Sequence, residues 1–187
     1  MGRVELPEGY PAAYERRMRL RDGRTVSVRP ILPSDAPELA EAIHTADTDT
    51  LRRRFLGAPP RMTPRLLAWL TTVDYVRRFA LVAFDPATEH GIAVARFEPI
   101  EEGVAEVAVA VDPAWRRVGL ATQLVELLAE AALERGIHSF GASYLAQNRP
   151  VEAMLAHTGS GAKHLIAHGV AELAVALDRE RAERSTP

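Results

Sequence analysis

The residues best placed to do chemistry lie in one stretch, 105–122, which reads Ala-Glu-Val-Ala-Val-Ala-Val-Asp-Pro-Ala-Trp-Arg-Arg-Val-Gly-Leu-Ala-Thr. An apolar run stops at Asp112-Pro113, and a helical period begins near Leu120. At such a strand-to-helix junction the first amides of the helix have no partner inside it. The N–H groups of Val118, Gly119, Leu120, Ala121 and Thr122 can therefore face an anion, and a diphosphate suits that cradle. Gly119 admits a close approach to phosphate, Ala121 keeps the helix tight against the sheet, and Arg116 and Arg117 add charge-assisted contacts. The plainer alternative is a glycine that merely stands near a helix start. Glu106 sits in the same run between Ala105 and Val107. A carboxylate is costly to bury without a role, and partial desolvation would raise its pKa toward that of a useful base. The competing reading puts Glu106 on a solvated face of the strand.

The elements that must position these groups follow from the period of apolar residues. Residues 1–21 mix Pro, Gly, Tyr and charges without a period and read as an extended arm, followed by a domain over 22–178 and a charged tail over 179–187. Asp22-Gly23 signals a turn and 25–29 alternates as a strand. Helices are expected after Ser34 or Asp35 through His44, over 48–55, and over 63–72 with Pro64 in the first turn. Strands at 79–84, 91–97 and 104–111 are separated by short turns and so should be antiparallel neighbours. The strongest helix runs from Leu120 to Glu134, with Leu124, Leu127, Leu128 and Ala131 on one face and Gly136 as a terminator. A strand at 137–144, a helix over 150–157 and strands at 163–167 and 171–177 complete the pattern, without repeats or low-complexity blocks.

Bulk properties narrow the classes. The 187 residues suffice for one well-buried core, and 47% apolar with 26% charged residues is ordinary for a folded soluble protein. With no cysteine there is no disulfide, thiolate metal site or cysteine nucleophile. The six histidines show no metal-ligand spacing, so no metal is expected. A net charge of −2 gives no general pull toward nucleic acid. No run is long and apolar enough to span a membrane and the start lacks a secretory pattern, which points to the cytoplasm. Lys163 is the sole lysine, a bias that high-GC coding explains.

Val111-Asp112-Pro113, Trp115 and Arg116-x-x-Gly119-x-Ala121 resemble the acetyl-CoA signature of the GNAT superfamily, usually written Arg/Gln-x-x-Gly-x-Gly/Ala. Arg117 departs from the small residue common at its position. The resemblance extends from about Leu20 to Leu177. It is nearest to bacterial protein lysine acetyltransferases of the Pat type, through Leu20-Arg21-Asp22-Gly23-Arg24, Val28-Arg29-Pro30, Arg53-Arg54-Phe55, Val73-Asp74-Tyr75 and Asn148-Arg149-Pro150. It implies an α/β (α+β) acyl-CoA N-acyltransferase fold, a mixed, mostly antiparallel sheet flanked by helices. It also implies direct transfer from acetyl-CoA to an amine in a ternary complex. Glu106 would be the general base, the backbone N–H of Val109 would hold the thioester carbonyl oxygen, and the strand edge near Val111 would pair with the pantetheine amides. Asn148 matches a position that touches the pantetheine arm, though it could equally cap a helix. Where many relatives carry a tyrosine acid, this chain has Leu155; Tyr75 and Tyr144 are the fallbacks, and a thiolate can also leave unaided. Arg52-Arg53-Arg54 reads as a basic patch for CoA phosphates or an acidic partner, or as a solvated helix face.

The implied acceptor is a protein lysine, with acyl-CoA synthetases as candidate partners. A small amine is the alternative substrate, and a non-catalytic acyl-CoA-binding regulator is the alternative role. Pat-type enzymes often carry a fused sensing or synthetase-like domain, for which these residues leave no room. The acceptor, the acyl-chain preference and the oligomeric state are not legible in the sequence.

Overall fold

Alternating apolar residues assemble into one eight-stranded sheet of order β1-β2-β3-β4-β5-β6-β8-β7. The computed structural model describes residues 6–155, 157–167 and 169–178. β1 (Arg16–Arg19), β2 (Thr25–Pro30), β3 (Phe79–Phe84), β4 (Gly91–Glu101) and β5 (Val104–Val111) pair antiparallel in turn, through short turns except between β2 and β3, where a helical excursion intervenes. The chain then crosses over through α4 (Leu120–Glu134), so β6 (Ser139–Leu145) lies parallel to β5. β7 (Gly159–Ala167) and β8 (Val170–Leu177) form a closing hairpin, with β8 against β6. This is the mixed, mostly antiparallel α/β sheet flanked by helices that the sequence implied.

α4 lies on the buried face. Leu120, Leu124, Val125, Leu127 and Leu128 are all buried, and they join Phe79, Phe97 and Phe140 in a continuous core. Burying each such side chain contributes about 1.5–3 kcal/mol. α1 (Ala36–Thr45), α2 (Thr48–Phe55) and α3 (Pro64–Thr71) form between β2 and β3. Local signals fix their starts: Asp47 Oδ1 accepts the Thr50 amide at 2.9 Å, and Thr63 Oγ1 accepts that of Leu66 at 3.2 Å. α5 (Arg149–Leu155) follows β6.

The largest departures from the sequence reading bear on the site and on the edge of the sheet. Within the stretch expected to be an arm, Arg16–Arg19 is the edge strand β1, and Tyr14 is buried in the core. Arg-Arg-Met-Arg has too few apolar residues to announce a strand, because an edge strand needs only one protected face. Residues 1–5 of that arm and 179–187 of the expected tail lie outside the described residues. β4 continues past Phe97 to Glu101, which carries Glu98 onto the sheet. Among the described residues no helix is long and apolar enough to cross a membrane.

Candidate active site

β5 and β6 stay together only where Val104, Ala105 and Glu106 face Ser139, Phe140 and Gly141. Beyond that point β5 follows β4 as far as Val111, whereas β6 follows β8 as far as Leu145. The two strands therefore part, and the edge of β5 from Val107 onward has no β6 partner. A cleft of about 1010 Å³ fills the split, lined by Glu106 through Val111 on one side and by Ala142, Ser143, Tyr144 and Asn148 on the other. α2 contributes Thr50 and Arg54 to its rim.

The loop after β5 reaches one end of this cleft. Asp112 Oδ1 accepts the Ala114 amide at 2.8 Å and so starts a 3-10 turn at Pro113–Trp115. Arg117 and Gly119 then both take left-handed backbone angles, φ 64° and φ 90°. That costs an arginine about 1–2 kcal/mol and a glycine almost nothing. Gly119 is the N-cap of α4, no side chain caps that helix, and its first turn carries no acidic residue. The first turn is closed by the Gln123 amide on the Gly119 carbonyl at 3.1 Å, which leaves the earlier amides of α4 without a helical partner. Gly119, Leu120, Ala121 and Thr122 all line the cleft.

The sequence-derived residues fall into three groups. Val109, Val111, Arg117, Gly119, Leu120, Ala121, Thr122 and Asn148 front the cleft. Arg116 also fronts it, but its Nε donates to the Val111 carbonyl at 3.1 Å and its Nη2 to Thr50 Oγ1 at 2.6 Å, so it staples the loop to α2. Val118 does not line the cleft; it packs against the core, and its carbonyl accepts the Arg21 amide at 3.0 Å. Asn148 also stands at the start of α5, where its carbonyl accepts the Val151 amide at 3.1 Å.

Glu106 lines the cleft but is exposed, which corrects the expectation of a partly desolvated carboxylate. Its neighbours Ala105 and Val107 are buried on the opposite face of the pleat, so apolar residues adjacent in sequence are not its surroundings in space. Ser143 Oγ donates to Glu106 Oε1 at 3.3 Å. Tyr75 is not available as an acid, since its hydroxyl is buried and donates to the Ile31 carbonyl at 2.8 Å. Tyr144 does line the cleft, whereas Leu155 is fully buried in the core.

Several lining residues carried no signal in sequence. Glu98 is the direct cross-strand partner of Glu106. Arg78 Nε donates to Glu98 Oε2 at 2.8 Å, and Arg96 Nε lies 3.9 Å from Glu98 Oε1. Arg96 is 5% exposed, donates through Nη2 to the Leu70 carbonyl, and keeps a buried Nε with no hydrogen-bond partner. Burial pulls its guanidinium down to about 10, against the opposing effect of Glu98. Arg54 is also pulled below its usual range by burial, while Glu106 and Glu98 oppose that shift. Trp69, 49% exposed, stacks its ring under Arg78 at 4.0 Å. The cleft thus has a basic, amide-rich end at α4 and an end of paired carboxylates and arginines near α3. Among the described residues no three His, Cys, Asp or Glu side chains gather as a metal-binding group.

Four similarities to known proteins bear on this cleft. Residues 42–159 match the model of the acetyltransferase (GNAT) family. The chain is similar to the acetyltransferase Pat of Mycolicibacterium smegmatis, at 30% identity over 147 residues covering 76% of this chain, although it spans only 43% of that protein's length. It is also similar to an acetyltransferase of Pseudomonas aeruginosa, at 28% identity over 143 residues covering 75% of this chain and 77% of the relative. Among solved structures, the GNAT domain of S. lividans PAT superposes with a TM-score of 0.80 at 32% identity, covering 90% of this chain and 99% of that one.

Proposed function

Because the chain belongs to the GNAT acetyltransferase family, we propose that it transfers the acetyl group of acetyl-CoA to a lysine side chain of another protein, with Glu106 as general base. The observation that carries this reading is the shared cleft: Glu106 and the uncapped start of α4 open into the same space. Unpaired amides at a helix start hold phosphate, and the amides of Gly119 through Thr122 suit the diphosphate of CoA. Acetyl-CoA supplies a thioester carbonyl open to attack by a neutral amine.

A lysine begins with a pKa near 10.4, so only about one in a thousand is neutral near pH 7.4. Glu106, exposed in the cleft, takes that proton directly or through a water. Ser143, donating at 3.3 Å, holds one carboxylate oxygen and leaves the other for the amine. The N–H of Val109, on the part of β5 that β6 has left, holds the carbonyl oxygen, and the edge near Val111 pairs with the pantetheine amides. At the acceptor end Glu98 stands beside Glu106, but Arg78 and Arg96 already offset its charge, which leaves Glu106 as the carboxylate that meets the amine. The protein acceptor rests on the resemblance of this chain to Pat-type acetyltransferases, and acyl-CoA synthetases are the first acceptors to try.

Replacing Glu106 with Gln should leave acetyl-CoA affinity within about twofold and cut turnover by about 10²–10⁴-fold. Thiol release measured with acyl-CoA synthetases and with a panel of small amines tests both halves of the reading. Unchanged turnover removes Glu106 as the base. Release with small amines alone assigns a metabolite substrate, and binding without release to any acceptor makes the protein a regulator.

A further inference from the structure

The turn between β1 and β2 is docked onto the loop that opens α4. Residues 20–24 close on themselves, with the Leu20 amide on the Arg24 carbonyl at 2.8 Å and Gly23 at φ 88°. Three links then hold this turn to the loop. The Arg21 amide donates to the Val118 carbonyl at 3.0 Å, Arg24 Nη2 donates to the Ala114 carbonyl at 3.2 Å, and the Arg24 guanidinium lies 3.9 Å from the Trp115 ring centre.

In the docked turn the Arg21 side chain lies across Gly119. A Cβ on Gly119 would meet Arg21 Nε at 3.3 Å and its Cγ at 3.4 Å. The nearby carboxylate does not neutralise it, because Asp22 Oδ2 accepts Arg24 Nε at 2.6 Å. Arg21 lines the cleft, is exposed, and has no hydrogen-bond or ion-pair partner for its guanidinium among the described residues. Among the described residues it therefore stands as an unpaired cation beside an uncapped helix start that has no acidic residue in its first turn. Arg116, by contrast, is already bonded to Val111 and Thr50.

We propose that Arg21 is a phosphate-binding residue of the donor site, contributed by the N-terminal hairpin from outside the span 42–159 that matches the family model. This rests on the reading of acetyl-CoA as donor. A guanidinium offers parallel N–H donors that match two oxygens of one phosphate, and its backbone anchor on Val118 positions it before the ligand arrives.

The test uses the full chain carrying Arg21→Met, which keeps an unbranched stem against Gly119 and removes the charge, with Arg21→Lys as the conservative partner. Calorimetric titration with acetyl-CoA should show about tenfold weaker binding for Arg21→Met and partial recovery for Arg21→Lys. Acetyl-dephospho-CoA, which lacks the 3′-phosphate, locates the contact. The same loss with this ligand assigns Arg21 to the diphosphate, and no loss assigns it to the 3′-phosphate. Acetyl-pantetheine, which has no phosphate, should bind both proteins equally by ligand-observed NMR. Equal acetyl-CoA affinity in wild type and Arg21→Met overturns the assignment, as does an equal loss with acetyl-pantetheine, which marks a purely structural role. Wild-type protein that takes up no acetyl-CoA sinks the functional reading together with this proposal.

Discussion

Gly119 is constrained by its own left-handed backbone and by the Arg21 side chain that lies against it. Its place in Arg116-x-x-Gly119-x-Ala121 marked it as a point where backbone could meet phosphate, and its φ of 90° is a conformational reason for glycine there. Its second constraint, the Arg21 side chain lying where a Cβ would go, arises from a residue nearly a hundred positions away and has no local trace. Gly119→Ala should therefore lower acetyl-CoA affinity by at least about tenfold while destabilising the fold by only about 1 kcal/mol, read by calorimetry and thermal unfolding. Glu106 was legible by position but not by environment, because the strand's period separates it from the apolar residues beside it. Glu98, Arg96 and Trp69 were invisible because each acquires meaning only from a partner on another strand or helix.

At the scale of elements, strong periods gave firm boundaries: 120–134 for α4, 48–55 for α2, 79–84 for β3 and 104–111 for β5 stand where the apolar spacing placed them. Weak periods did not. β7 begins at Gly159 rather than 163, since Gly-Ser-Gly reads as a loop and lacks the branched side chains that mark strands. The segment ahead of β1 was equally mute, yet Tyr14 ties it to the far end of α4. Its buried ring meets Phe79 edge-on at 5.1 Å, and its hydroxyl donates to the Glu134 carboxylate. Burial, with that hydrogen bond, pushes the Tyr14 hydroxyl from 10.0 up to about 12. Between those values the unfolded chain has lost a proton that the folded chain keeps, so stability is fully present below about pH 10 and declines as pH rises toward 12. Urea unfolding from pH 9 to 11.5 should show this fall, and Tyr14→Phe should make it shallower while costing about 1 kcal/mol at neutral pH. A slope identical in the two proteins would mean that Tyr14 does not titrate this way.

At the scale of the whole molecule, the fold was readable from the order of strands and one long helix, because a short turn forces antiparallel pairing and a helical crossover permits a parallel one. The strand order β8 before β7 was not, since nothing local decides which arm of a closing hairpin lies inside. The sheet consists of β1 through β5 and of β6, β8 and β7, joined by the short parallel ladder at Val104, Ala105 and Glu106, by α4, and by the contact of Phe97 with Phe140 at 6.1 Å. A ligand whose amides occupy the open edge of β5 would bridge the two parts. Acetyl-CoA should then slow hydrogen exchange at amides of 107–111 and of β6 well beyond any change in β1 or β2. Uniform protection throughout the sheet would argue against binding in the split.

The divergence of β5 from β6 also distributes mutational risk unevenly. If the donor binds along β5 as proposed, its wall is main chain over much of its length, and main chain persists through most substitutions. The opposite end is written in Glu98, Arg96, Arg54 and Trp69, each one codon from change. A lineage built on this architecture can retune what it modifies without forfeiting the reagent it modifies with.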